Sequence, residues 1–437
     1  MNIRKIALSM LNEYEGFGKY VNLSLTSHAA DKLTREERAS LTALLYTATE
    51  RKLTYDYLVG ALSHRSLDSV DHYTLNILRL GLCQIISMDS VPDYAAVNET
   101  VKLARDRGER SFVNGVLREA VRKKADGALP MPERKKNAAR YISIAHSFPL
   151  WLTRHFISLF GEERTEKIFE IYNGNGHTDL TVNLNKISVS DFVAFLSENG
   201  VKAYPSQKSR ITVRIDGSVS PTSLPGFSEG FFFVEDTASA LAALVLDPAP
   251  DSKIIDVCAC PGGKSFAAAI LAPRGSVTSL DIHESKLSLI SDGAARLGVE
   301  NITVGRWDAT SPKPELLGKL DRVICDVPCS GLGVLGKKPD MRYRSPDALD
   351  TLPELQYAIL EASSRYLCSG GMLVYSTCTL NPRENDEVLD RFLASHEDFA
   401  VSDFTVGDLH SVNGRLTLTP DINGTDGFFI SRITKKC

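Results

Sequence analysis

Apolar residues in the first 125 positions recur at the three- and four-residue spacing of amphipathic helices. Thr34-Arg-Glu-Glu37 has the form of a capping box, with Thr34 as N-cap and Glu37 at the third helical position. Leu41, Leu44, Leu45 and Ala48 then follow on one face. Leu75, Leu78 and Leu82 repeat the pattern, Pro92 opens a helix holding Ala95, Ala96 and Val97, and Phe112–Val121 forms a last one. An all-helical domain over 1–128 is predicted, ending in a Pro- and Lys-rich linker near Leu129-Pro-Met-Pro132.

The pattern mixes from 141 to 230. Phe148–Leu152 starts a helical stretch reaching Tyr172 and interrupted near Gly161. Leu180–Leu184 and Ile211–Ile215 alternate as strands, and Val189–Asn199 reads as a helix stopped by Gly200. Residues 129–230 are thus expected to form a linker and a small α+β module. From 231 to 437 short apolar runs alternate with helical segments, the mark of a doubly wound α/β sheet of Rossmann-like type. Its expected strands are Lys253–Val257, Ser276–Leu280, Asn301–Val304, Arg322–Cys325, Met372–Tyr375 and Phe428–Ile433.

Composition changes this picture little. At 43% hydrophobic and 24% charged residues, the chain is neither disordered nor fibrous. No run approaches the roughly 18 apolar residues of a membrane span. The apolar stretch Ile6–Leu11 is short and leads into Asn12-Glu-Tyr-Glu15, an amphipathic helix in place of a signal peptide, so a cytoplasmic protein is expected. The eight cysteines are then reduced thiols, with Cys83, Cys325 and Cys368 as small core residues. Cys258 and Cys260 lack a second pair at zinc spacing, so no metal is expected. Charge is uneven: residues 1–140 carry 22 Lys and Arg against 17 Asp and Glu, while the remainder is acidic. The excess lies in 102–140, where 12 basic residues meet 5 acidic ones, which fits contact with a polyanion and equally fits solvated helix faces.

Candidate chemistry gathers where strands end. Lys253–Val257 runs into Cys258-Ala-Cys-Pro-Gly-Gly-Lys264 and then a helix, the ligand-binding corner of an open sheet. Two glycines fall short of a pyrophosphate fingerprint, whereas a nucleoside without phosphate, such as S-adenosylmethionine, needs fewer. Asp281, 17 residues after Lys264, suits ribose hydroxyls; Asp308 closes the next strand and suits an adenine amino group. NAD would fit such a corner too, but no hydride-transfer partner stands out. The fourth strand delivers Asp326-Val-Pro-Cys329, and the fifth Ser376-Thr-Cys378, which brings two thiols to one sheet edge. Beside a methyl donor, a thiolate adding to carbon-6 of cytosine makes carbon-5 nucleophilic enough to be methylated. An unperturbed thiol, with a pKa of about 8.5, is mostly protonated at neutral pH and requires activation. A protonated Asp326 would hydrogen-bond the ring. Chemistry alone leaves open which cysteine attacks.

These motifs, Asp256-Val-Cys-Ala-Cys-Pro-Gly-Gly-Lys264, Asp326-Val-Pro-Cys-Ser-Gly331 and Ser376-Thr-Cys378, resemble those of the RNA (cytosine-5)-methyltransferases, and within them the bacterial group acting on 16S rRNA. Asp93–Val101 and Ser111–Arg118 resemble the signatures of the NusB family of RNA-binding helical domains. The resemblance implies Cys378 as nucleophile, Cys329 as the aid to product release and Asp326 as the cytosine ligand. It also implies that Cys258, Ala259, Cys260, Pro261, Gly262, Gly263, Lys264, Asp281, Asp308 and Asp326 bind S-adenosylmethionine. RNA is the implied partner, free or early in assembly, and Lys337, Lys338, Arg342 and Arg344 are candidates to grip its phosphates. Asn98 and Asn114 are expected as buried hydrogen-bonding groups. Three departures from the family bear on cofactor affinity: Cys260 in place of Ala, Trp307 in place of a small residue, and Glu235-Asp236 in place of Gln-Asp. A methyltransferase of another RNA such as tRNA, and a non-catalytic antitermination factor, are the rival readings.

Overall fold

In a computed structural model, residues 2–17, 33–174, 176–217 and 219–437 are described. They form two compact units, Met1–Asn173 with Lys338–Arg344, and Gly174–Lys337 with Ser345–Cys437.

The first unit is helical: α1 (Ile3–Phe17), α2 (Arg35–Glu50), α3 (Lys52–Ser63), α4 (His72–Ser87), α5 (Asp93–Val101), α6 (Arg107–Ala125), α7 (Ala138–His146) and α8 (Leu150–Tyr172). The capping box is present, Thr34 Oγ1 accepting from the Glu37 amide while Glu37 Oε2 accepts from the Thr34 amide. Every residue of α4 from Thr74 to Ile85 is buried, because α1, α2, α3, α5 and α6 all pack around it. Such burial contributes about 1.5–3 kcal/mol for each large apolar side chain. Gly81 lets α4 and α6 approach: a Cβ there would lie 2.6 Å from Leu117 Cδ2. Gly161, at φ 76°, kinks α8 where the sequence pattern breaks. Two expectations fail in this unit. Asn98 is exposed on α5, and Asn114 is only half-buried, accepting from Arg118 Nε at 3.1 Å. A nine-residue helix keeps one stripe inside, and Ala96, Val97 and Thr100 already fill it.

Segment 338–344 brings the second correction. Arg342 is fully buried, its guanidinium 4.1 Å from the Phe148 ring and 2.7 Å from Asn173 Oδ1, with Glu50 beside it. It does not face solvent, so it does not grip phosphate. Lys338 and Arg344 are exposed.

The second unit opens with β1 (His177–Val182), α9 (Val189–Glu198), β2 (Ala203–Pro205), β3 (Thr212–Asp216) and β4 (Phe232–Val234). The strands pair antiparallel in the order β2-β3-β1-β4, and α9 buries Phe192 and Leu196 in their core. Then come α10 (Thr237–Leu246), β5 (Lys253–Asp256), α11 (Gly263–Leu271), β6 (Ser276–Asp281), α12 (Leu287–Leu297), β7 (Ile302–Arg306), β8 (Leu320–Asp326), α13 (Ala348–Ser364), β9 (Leu367–Thr377), α14 (Asp386–Ser395), β10 (Phe399–Val401), β11 (Thr405–Val406), β12 (Leu409–His410), β13 (Arg415–Leu418) and β14 (Phe428–Lys435). Strands β7-β6-β5-β8-β9 run parallel; β14 joins β9 antiparallel and carries β10 and β13. Helices α10, α11 and α12 share one core with this sheet, and α13 and α14 share the other. The strand order reverses between β5 and β8, so a crevice opens at their carboxyl ends. Among the described residues no helix is long and apolar enough to cross a membrane.

Candidate active site

The turn after β5 is pinned at both sides. The Val257 amide donates to Ile324 O at 3.2 Å and the Ala259 amide to Leu280 O at 2.8 Å, which continues the sheet past the strand end. Gly262, at φ 116°, caps α11; a Cβ there would lie 2.5 Å from the Phe266 ring. Asp256 is buried, with Oδ2 accepting from Ser265 and Oδ1 lacking a partner; burial pushes its pKa up to about 7. Asp281 Oδ2 accepts from the Cys260 amide at 3.1 Å and Oδ1 from the His283 amide at 2.9 Å, which fixes the carboxylate beside the turn. The Trp307 amide donates to Asp281 O, which brings Asp308 to the same edge. Asp308 is exposed, and its carboxyl is held below the usual range by the Thr310 amide and hydroxyl. The Cys260 thiol is pushed up to about 12 by burial and Asp281, so the residue that departs from the family is no thiolate.

These groups fit S-adenosylmethionine. A glycine turn without room for side chains, an orphaned buried carboxylate oxygen and two acids at successive strand ends make a cradle for a nucleoside. Bound there, the cofactor supplies an electrophilic methyl group on sulfur.

The two predicted thiols meet. Cys329, three residues past β8, and Cys378, one residue past β9, hold their Sγ atoms 3.3 Å apart. Between them and the cofactor corner lies Asp326, whose Oδ1 accepts from the Ser376 hydroxyl at 2.7 Å and whose Oδ2 pairs with Lys264 Nζ at 2.7 Å. Burial alone would lower the Lys264 pKa, but Asp326 and Glu235 reverse this and raise it. The donor beside Asp326 is therefore the Lys264 ammonium. The side chain of Lys264 turns to Asp326 and Ser239. The Cys329 thiol is pushed up, first by its hydrogen bond with Cys378, then by burial, and also by Glu384 and Asp326.

Sequence reasoning did not foresee the surroundings of three residues. Glu235 is buried, accepts from Ser239 and is pushed up to about 7 by burial. Glu384 is fully buried under both cysteine loops. Lys337, expected on phosphate, is bound to Asp236 and Asp426 at 2.5 and 2.9 Å. His177, Asp179 and Asp236 bring ligand atoms within 4.8 Å, but Arg214 and Lys337 already pair with those carboxylates, so the cluster is an ion-pair network.

A parallel sheet with a nucleoside cradle at its switch point, in a chain that also carries a helical unit, defines a Rossmann-like methyltransferase that uses S-adenosylmethionine. Family models match the chain in three places: NusB over 1–122, the ferredoxin-like domain of RsmF/B-type methyltransferases over 148–222, and 16S rRNA methyltransferase RsmB/F over 243–434. A probable ribosomal RNA small subunit methyltransferase B of Bacillus subtilis is 34% identical over 449 residues, covering 100% of this chain and 99% of that one. The ribosomal RNA small subunit methyltransferase B of Escherichia coli is 29% identical, with 100% and 99% covered. The crystal structure of PH0851 superposes with a TM-score of 0.78 at 23% identity, covering 99% of this chain and 98% of that one. NSun6 from Pyrococcus horikoshii, solved with SFG, gives 0.59 at 23% identity over 66% of this chain and 99% of its own. The chain belongs to the 16S rRNA methyltransferase RsmB/F family.

Proposed function

We propose that the protein methylates carbon-5 of a cytosine in 16S rRNA through a covalent bond between Cys378 and the base. The observation that carries this reading is the 3.3 Å separation of the Cys329 and Cys378 sulfurs next to Asp326. A lone nucleophile has no use for a second thiol; a reaction that adds a thiolate and later expels it can use one to protonate the departing sulfur.

The steps use this chain's groups together with solvent. Cys378 gives its thiol proton to solvent, Sγ forms a bond to carbon-6, and the electron pair moves to carbon-5, which takes the methyl group as the methyl–sulfur bond of the bound sulfonium breaks. Lys264 and Asp326 hold the ring: the carboxylate accepts from the exocyclic amine and the ammonium donates to a ring acceptor. Carbon-5 then loses its proton to solvent, the pair returns to the ring, and the carbon–sulfur bond breaks with its electrons going to the Cys378 sulfur. Cys329 donates its thiol proton to that departing sulfur, 3.3 Å away, and regains one from solvent. Its thiol is pushed up by the hydrogen bond with Cys378 and by burial, so it holds the proton that this step uses. Unstacking the cytosine costs about a few kcal/mol.

Backbone contacts offset that cost. Basic residues in the helical unit are candidates to supply them: Arg122, Lys124, Arg134 and Lys136 form surface pairs with Glu119, Asp93, Glu166 and Glu133. Exposed pairs of this kind contribute about 0–1 kcal/mol each, so phosphate can displace them. Such a protein works in the cytoplasm, on free or partly assembled rRNA.

The test is transfer of labelled methyl from S-adenosylmethionine to 16S rRNA and to tRNA, followed by nucleoside identification. 5-Methylcytidine in 16S rRNA supports the reading. Label in tRNA alone, another methylated nucleoside, or no transfer overturns it.

A further inference from the structure

The two thiols sit on separate loops, so something must hold those loops in register. The cysteine side chains themselves supply only a weak contact between sulfurs. The stronger link lies one residue further on in each loop. Ser330 follows Cys329, Thr379 follows Cys378, and their hydroxyls are 2.8 Å apart. Beneath them lies the carboxylate of Glu384, from the turn before α14, fully buried.

Glu384 Oε2 accepts from the Ser330 amide at 2.8 Å and from Gln356 Nε2 at 2.9 Å. Its Oε1 accepts from the Ser330 hydroxyl at 2.5 Å and from Asn381 Nδ2 at 3.0 Å. Four donors fill the capacity of two carboxylate oxygens. The single Ser330 hydroxyl proton is committed to Glu384, so Thr379 donates to Ser330 and the chain runs in one direction, from the Cys378 loop to the Cys329 loop to the carboxylate. No Lys, Arg or His pairs with Glu384 among the described residues; its charge is met by neutral donors alone, and these are charge-assisted and short. A buried carboxylate is costly unless fully bonded, so the network tolerates one arrangement of the two loops.

From this geometry we infer that Glu384 is a positioning residue for the reaction: it locks the Cys329 loop onto the Cys378 loop and so sets the spacing of the two sulfurs. The inference rests on the two-cysteine reading above for its catalytic consequence, but the spacing itself can be tested without it. Glutamine at 384 keeps the shape and loses acceptor capacity, because its amide group faces two donors. Alanine at 330 removes one hydroxyl and leaves Glu384 three donors, so the fold is least disturbed.

The experiment uses the full chain as Glu384→Gln and Ser330→Ala, with folding checked by circular dichroism. The thiol-specific oxidant diamide couples two neighbouring thiols into a disulfide while it is reduced to the hydrazine, and peptide mass spectrometry counts the Cys329–Cys378 bond. The rate should fall about tenfold or more in Glu384→Gln, on the scale of one lost charge-assisted hydrogen bond, and less in Ser330→Ala. With RNA and S-adenosylmethionine, the ratio of trapped protein–RNA adduct to turnover should rise in both variants, whereas mere loss of folded protein lowers both together. Slow coupling without adduct in any form of the protein upholds the clamp and removes the covalent mechanism. Folded Glu384→Gln with wild-type coupling and an unchanged ratio overturns the inference.

Discussion

Replacing Arg342 with alanine should destabilise the helical unit more than any surface change in it. The guanidinium is fully buried and donates to Asn173 Oδ1 at 2.7 Å, Tyr172 O at 3.3 Å and Glu50 O at 3.4 Å, while its plane lies 4.1 Å from the Phe148 ring. Glu50 Oε1, 3.7 Å away and buried, has no hydrogen bond of its own. Alanine therefore strands a largely buried carboxyl as well as emptying the site. Removing one partner of a buried pair costs about 3–5 kcal/mol. For a unit of this size each kcal/mol lowers Tm by about 2–4 °C, so the helical transition should fall by roughly 6–20 °C. Scanning calorimetry of the full chain reads it, with circular dichroism assigning the transition. Adding Glu50→Gln to Arg342→Ala should recover part of the loss, since the stranded charge is gone. Lysine at 342 should fall between, as it keeps charge but loses the planar fork. A helical transition within about 2 °C of wild type in Arg342→Ala would refute the reasoning.

Three further outcomes are expected. Cys378→Ala should abolish methylation and any protein–RNA adduct, read by gel shift under denaturing conditions. Glu235→Gln should change the pH dependence of stability: the folded state holds the Glu235 proton to about 7 against 4.5 in the unfolded chain, so this group's stabilising contribution is full below 4.5 and is lost as pH rises through 7. That rise corresponds to roughly 3 kcal/mol at most, so the Tm of the variant should decline less than wild type between pH 4.5 and 7. Gly333→Ala should lower Tm and turnover together, because a Cβ there lies 1.9 Å from Gly427 O while the Gly333 amide holds Cys378 O at 2.9 Å; such overpacking costs about 1–3 kcal/mol.

Local signals carried the fold well. The capping box at Thr34, the break at Gly161 and the six main strands were legible because each depends on neighbours in sequence. The pairing of Cys329 with Cys378 was legible too, since parallel topology sends both strand ends to one edge. What failed depended on partners distant in sequence. Arg342 looked like a phosphate ligand because arginine is usually exposed, and only the fold brings Phe148, Glu50 and Asn173 around it. Lys337 is taken up by Asp236 and Asp426, about 100 and 90 positions away. Glu384 carried no signal: its four donors come from three separate segments, and a Glu beside Pro and Arg reads as solvated. Asn98 erred the other way, because short helices bury only one stripe.

The central claim concerns which sulfur bonds the base. Cys329→Ala incubated with 16S rRNA and S-adenosylmethionine, digested and sequenced by mass spectrometry, should yield a nucleotide attached at Cys378. Attachment at another residue, or no attachment while Cys329→Ala turns over at the wild-type rate, would contradict the account.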